Sequence, residues 1–259
     1  MARAPADADL PAYTVRESRR AKRARIDVSA AGRVEVVVPA GFPQRKVPKL
    51  IAENRQWLER ALERVRQRQA ERPELHQRLP ERIRLAALDL EWPVAYPGTG
   101  KAGVRESSDG QLRVHAPDRR GARDALCNWV TRTAKAHLVP WAGAVGKELG
   151  LTAGTIRVRA QASRWGSCSG RGNLNLNRNL LFLAPEVVRY LLVHELAHTV
   201  HMDHSPKFWA LVAHLEPDYR HLDHQLRGAG GHVPVWALAD RLLPPDFFDE
   251  SGTHPLAGV

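Results

Sequence analysis

His194, Glu195, His198 and His204 fall within one short stretch and have the types and spacing for metal chemistry. On an α-helix, residues four apart lie on one face, so His194 and His198 can point two imidazoles at one ion. Glu195 projects about 100° round the helix from His194. Its carboxylate then stands beside the ion without ligating it, where a general base for an activated water belongs. Catalytic zinc sites use three protein ligands plus water. His204, six residues after His198, is the third in this reading, with Glu216 downstream as the alternative. Imidazole ligands suit Zn2+, which is the expected cofactor. With 12 histidines in 259 residues, about 0.06 accidental matches to the helix pattern are expected, and roughly 0.003 once the third histidine is required.

The elements that must position these groups can be read outward from them. Val187, Val188, Tyr190 to Val193, Leu196, Ala197 and Val200 make a deeply buried helix from Pro185. Polar groups inside such a helix are costly unless paired or ligated. Asp203 to Pro206 reads as a turn, with Ser205 as N-cap and Pro206 at N1 of a helix running to Leu215. Another helix is expected from Pro217 to Leu226. Upstream, the Arg164-Trp165-Gly166-Ser167-Cys168-Ser169 loop precedes a strand from Leu174 to Leu183. Asn173, Asn175 and Asn177 alternate with leucines there, giving an amide-rich face that could belong to an edge strand pairing with an extended substrate. The bland alternative is a solvated face. Cys168 is a thiolate candidate for the metal, set against a small residue in a tight loop.

Further upstream, Ala24 to Val28 and Arg33 to Val38 read as strands, the second half-buried by its alternation. A long amphipathic helix follows from Pro43 to Arg72, with Trp57, Leu58, Leu62 and Val65 among its inward residues. Ile83 to Val94 and Val104 to Val114 read as hairpins, and Tyr96 to Gly100 as a loop. Asp118 to Gly150 reads as helix broken in two at Pro140. Gly32, Val34, Val36 and Pro39 match Gly110, Leu112, Val114 and Pro117 at a constant offset, and Gly172 with Leu174 opens a looser third unit. Duplication of a ββα element and common turn punctuation both account for this. The expected organisation is a disordered lead at 1–12, a basic N-terminal ββα region at 13–80, a catalytic region at 81–227, and an irregular, poorly folded tail at 228–259.

The net charge is +11, and residues 1–84 carry 20 Lys/Arg against 11 Asp/Glu. Such a face attracts nucleic acid or nucleotides, or is simply solvated. No apolar run is long enough to span a membrane. The N-terminus has no apolar signal region, and two cysteines make no disulfide framework. The expected location is the cytoplasm, with no membrane partner.

At RWGSCS, GNLNLNRNLLFLAPEVVRYLLVHELAH and HSPKFW the sequence resembles the YgjP-like predicted metal-dependent hydrolases, which are related in motif to SprT-like zincin metallopeptidases. The likeness runs over about residues 13–227. It implies an α+β, zincin-like catalytic domain preceded by β-hairpin and helix units. It also implies zinc at His194, His198 and His204, and Glu195 as catalytic acid/base. Arg164, Trp165 and Ser167 match the signature and are candidates to line the site, beside Asn175 and Asn177. His201 stands where long zincin motifs often carry glycine, and histidine tolerates left-handed backbone angles better than most residues. The functions that follow are a zinc metallopeptidase acting on peptide or protein, a metal-dependent nucleotide pyrophosphohydrolase, or a nucleic-acid-associated protein with an auxiliary metal site.

Overall fold

The computed structural model describes residues 11–98, 101–243 and 247. Residues 1–10 of the expected lead, the end of the expected loop at 99–100, and the tail beyond 243 apart from Phe247 lie outside the described residues. The chain is a mixed α+β protein, and its contacts divide it into two compact units. Of the described residues, one comprises 11–76 together with 240–243 and Phe247; the other comprises 77–239. The division falls at 76/77 rather than at the expected 80/81.

Three small sheets carry one topology. In the first unit, β1 (Tyr13–Ser18) runs parallel to β3 (Val34–Pro39), and β2 (Arg25–Val28) runs antiparallel to it. In the second, β5 (Leu90–Ala95) is parallel and β6 (Gly103–Glu106) antiparallel to β7 (Leu112–His115), with β4 (Arg82–Leu85) added outside β5. The third sheet places β8 (Ile156–Arg159) parallel and β9 (Gly166–Cys168) antiparallel to β10 (Leu174–Asn177).

The turn into each third strand is the same. Gly32, Gly110 and Gly172 take φ of 79°, 75° and 71°. Each donates its N–H to a serine carbonyl three residues back, at Ser29, Ser107 and Ser169, over 2.9, 2.9 and 2.8 Å. Each serine N–H then closes the turn on the carbonyl of residue 33, 111 or 173. Positive φ at this corner suits glycine because no Cβ is present to clash. A helix follows every third strand. The repeated unit is therefore βββα, with a parallel first strand that the ββα reading lacked.

The helices are α1 (Val47–Glu53), α2 (Arg55–Glu71), α3 (Arg119–Leu149), α4 (Pro185–Ala197), α5 (Pro206–Leu215) and α6 (Tyr219–Gly228). Several expectations are corrected. The helix expected over 43–72 is interrupted at Asn54. Pro140 does not break α3, which continues through it, because Leu138, Ala142 and Val145 keep one fully buried face on both sides. β3 is buried on both faces rather than half-buried: Arg16 and Arg241 pair with Glu35 at 3.0 and 3.3 Å on the face expected to be solvated. The strand expected to Leu183 ends at Asn177 and gives way to a buried 3-10 turn, Arg178–Phe182.

The expected poorly folded tail is, from Ala229 to Leu238, a set of short turns packed into the core of its unit. Trp236 is 1 % exposed and meets Phe182 edge-to-face at 5.8 Å. Two buried arginines hold this segment by its carbonyls. Arg123 donates to Trp236 and Leu238, and Arg178 to Ala237. Glycines and prolines in the sequence hid an anchoring role that depends on partners more than fifty residues away.

Candidate metal centre

The third βββα unit builds the site. α3 packs on β8 and α4, which fixes the buried side of α4. After Ala197 the chain makes two tight turns, with Thr199 and Val200 donating to Leu196 and Ala197 at 2.9 and 3.0 Å. No left-handed residue is used here; among the described non-glycine residues only Asp89 has positive φ. His201 therefore replaces glycine without strain, by a right-handed route. Ser205 occupies the N-cap position of α5 without a side-chain capping bond, and Pro206 opens the helix.

His194, His198 and His204 converge, with their candidate ligand atoms all within 4.8 Å of one another. The Nε2 atoms of His194 and His204 are 3.2 Å apart. Two nitrogens about 2.05 Å from a tetrahedral zinc would be about 3.3 Å apart, so this pair has the spacing of co-ligands. His198 Nδ1 lies 2.9 Å from the His201 carbonyl, which fixes Nδ1 as the donor and leaves Nε2 for an ion. The rings are held by aromatic neighbours: His198 stacks on Phe208 at 4.4 Å, and His204 on Trp209 at 5.7 Å. Burial lowers His194 to about 4, with the neighbouring His198 and His204 adding to the effect, and burial also lowers His198. These two imidazoles are thus neutral near pH 7, the form that binds metal. Glu216 is outside the cluster, facing Arg189 at 3.8 Å, and so is Cys168, whose thiol approaches the Ser169 carbonyl.

Glu195 is 5 % exposed, and its Oε2 has no hydrogen-bond partner among the described residues. Burial pushes its carboxyl up to about 7, partly opposed by the Arg164 guanidinium. A buried carboxyl without a partner is expensive. One on the helix that supplies two of the three convergent imidazoles suits a proton, a water or a nearby cation. The donor set and this orphaned oxygen both fit a divalent ion of the zinc type.

β9 lies against α4 at Glu195. A Cβ built on Gly166 would stand 2.5 Å from Glu195 Oε1, so any larger residue there would have to push the Glu195 side chain aside. The sequence reading passed over Gly166, whose signal was its place between Trp165 and Ser167. Arg164 is exposed, while Trp165 and Ser167 are half-buried. β10 is the central strand of its sheet, so Asn175 and Asn177 are not on an edge. Asn177 is also committed elsewhere: its amide donates to the Gln161 and Arg164 carbonyls at 2.8 and 2.9 Å, and its Oδ1 accepts from Asn179 N–H. It clamps the signature loop and has no donor left for a ligand. The edge strand is β9. The Trp165 carbonyl and Ser169 N–H bond toward β10, and Ser167 sits opposite Asn175. By the alternation of antiparallel pairing, the backbone groups of Gly166 and Cys168 face outward.

The YgjP-like, metallopeptidase domain family matches residues 22–229. The chain belongs to this family. No curated protein and no solved structure gave a match. Family membership supports a metal-dependent hydrolase, and the histidine trio could bind its metal. The match ends at residue 229, just before the segment anchored by Arg123 and Arg178. No described helix of this YgjP-like chain is long and apolar enough to cross a membrane.

Proposed function

We propose that this YgjP-like chain is a zinc-dependent peptidase in which Glu195 is the general base and acid. The observation that carries the reading is the buried Glu195 carboxyl, with one oxygen unpartnered, on the helix that supplies two of three convergent histidines and against the edge strand β9 at Gly166. His194, His198 and His204 would hold the ion. Zinc bound there supplies Lewis acidity toward a carbonyl oxygen and toward water. Glu195 Oε2 takes one proton from the attacking water as the new C–O bond forms. It returns that proton to the departing amine nitrogen as the C–N bond breaks. The outward backbone groups of Gly166 and Cys168 offer an extended peptide main-chain hydrogen bonds, independent of its side chains. Arg164 would hold the Glu195 charge in place, and Trp165 and Ser167 would flank the bound strand.

The test is a product screen by mass spectrometry on zinc-loaded protein, wild type and Glu195→Gln, given a mixed peptide library and nucleoside triphosphates. Peptide products that appear with wild type alone are expected. Monophosphate and pyrophosphate in their place would move the assignment to nucleotide hydrolysis.

A further inference from the structure

In the first unit, α2 carries a feature at odds with its amphipathic pattern. Trp57 was expected to face inward, yet it is 42 % exposed, while Leu58, Ala61 and Val65 form the buried face. Trp57 shares its side of the helix with Arg60, Arg64 and Arg68, all exposed and all within about 80° at 100° per residue. Arg72 continues the row at the helix end.

Glu71 falls on the same side near the helix end, but the arginines of this face are not ion-paired, unlike the charges beside them. Arg55 pairs with Glu59, Arg66 with Glu63, and Lys49 with Glu53. Arg60 donates from Nε only to the Gln56 carbonyl, at 3.1 Å. Among the described residues no carboxylate pairs with Arg60, Arg64, Arg68 or Arg72. Arg60 and Arg64 each face another arginine four residues on, a like-charge spacing that destabilises a helix. Leaving an indole in water adds a further cost. Both costs are reversed by a polyanion that also presents flat rings. The arginines recur about every 6 Å along the axis, and the guanidinium fork matches phosphate oxygens. An exposed indole stacks on a base only when that base is unpaired. An anionic lipid surface fits less well, because Trp57 is the only large apolar side chain that the described part of this unit exposes. The same unit adds exposed Arg19, Arg20, Lys22 and Arg23 in the β1–β2 loop.

We propose that this face of α2 binds single-stranded nucleic acid, with Trp57 stacked on a base and Arg60, Arg64 and Arg68 holding phosphates. The surface is independent of the metal centre, and its test does not require turnover. Fluorescence anisotropy of a labelled oligothymidylate with the full chain should show binding that weakens steeply with salt. The triple variant R60Q/R64Q/R68Q should bind at least tenfold more weakly. Its slope of log affinity on log salt should be shallower by about 2, as expected when three arginine–phosphate pairs on a single strand are removed. Trp57→Ala should weaken binding about tenfold and leave that slope unchanged, which separates stacking from charge. All four positions are exposed, and circular dichroism checks that the variants fold. Absence of binding at low salt, or unchanged binding by the triple variant, would overturn the proposal. So would equal affinity for a duplex with no effect of Trp57→Ala, or equal affinity for polyglutamate or anionic vesicles.

Discussion

Gly166 and Glu195 are in contact such that any side chain on the first would displace the carboxylate of the second: an added Cβ would lie 2.5 Å from Oε1 and 2.8 Å from Cδ. Gly166→Ala should therefore move the carboxylate while leaving the three imidazoles untouched. The expected result is a fall in kcat of about 100-fold, the scale of a misplaced general base, with KM and zinc content near wild type. Single-turnover kinetics with metal analysis checks it. Full activity in Gly166→Ala would mean that Glu195 does not act from its observed position.

Burial shifts Glu195 and His194 in opposite directions, and their effects on stability oppose each other in pH. Glu195 titrates near 7 in the fold against 4.5 as a free group, and His194 near 4 against 6.5. Between pH 4.5 and 6.5 the folded state keeps a proton on Glu195 that the unfolded chain has lost, so raising the pH weakens the fold. Over the same range the unfolded chain keeps a proton on His194 that the fold has lost, so raising the pH strengthens it. The two nearly cancel in metal-free protein. Glu195→Gln removes one of them. Metal-free Glu195→Gln should lose about 2–3 kcal/mol as pH falls from 6.5 to 4, and should exceed wild type by a similar amount above pH 7. Urea denaturation across this range in chelator is the measurement. Parallel curves for the two proteins would refute the opposition.

The histidine trio was legible because a helix makes sequence spacing into geometry: residues 194 and 198 can only share a face. His204 needed a turn, and its spacing sufficed even though the turn at His201 is not left-handed. The strands were less legible. Asn175 and Asn177 alternate as an edge strand would, but pairing partners decide what is an edge, and β10 has β8 on one side and β9 on the other. Gly166 was invisible because its role is the absence of a side chain against a residue 29 positions away. Trp57 misled for a related reason: an indole counts as apolar in any periodicity, whichever side of the boundary it falls on.

Metal binding separates the role proposed for the trio from that proposed for Glu195. His194→Ala or His204→Ala should cost more than the roughly 10–100-fold in zinc affinity typical of outer partners, measured by competition with a chromophoric chelator. Glu195→Gln should keep near wild-type affinity. A Glu195→Gln variant that fails to hold zinc would make Glu195 a ligand and remove it as the base.

The segment after Gly228 should prove indispensable to folding. Trp236 is buried to 1 % exposure, and its truncation in Trp236→Ala should cost about 3–5 kcal/mol. Ending the chain at Gly228 is more severe. It removes the carbonyls of Trp236, Ala237 and Leu238, which receive N–H groups from Arg123 and Arg178. Both guanidinium groups would lose acceptors they now use, at about 1–3 kcal/mol for each bond left unmade, and more for a charged group. Against a typical total of about 5–15 kcal/mol, the shortened chain should show no cooperative unfolding transition. Arg178→Met in the full chain removes the charge together with its need for acceptors, so it should be milder than truncation. A shortened chain that melts at the wild-type midpoint would show that the arginines find other partners and that the segment anchors nothing.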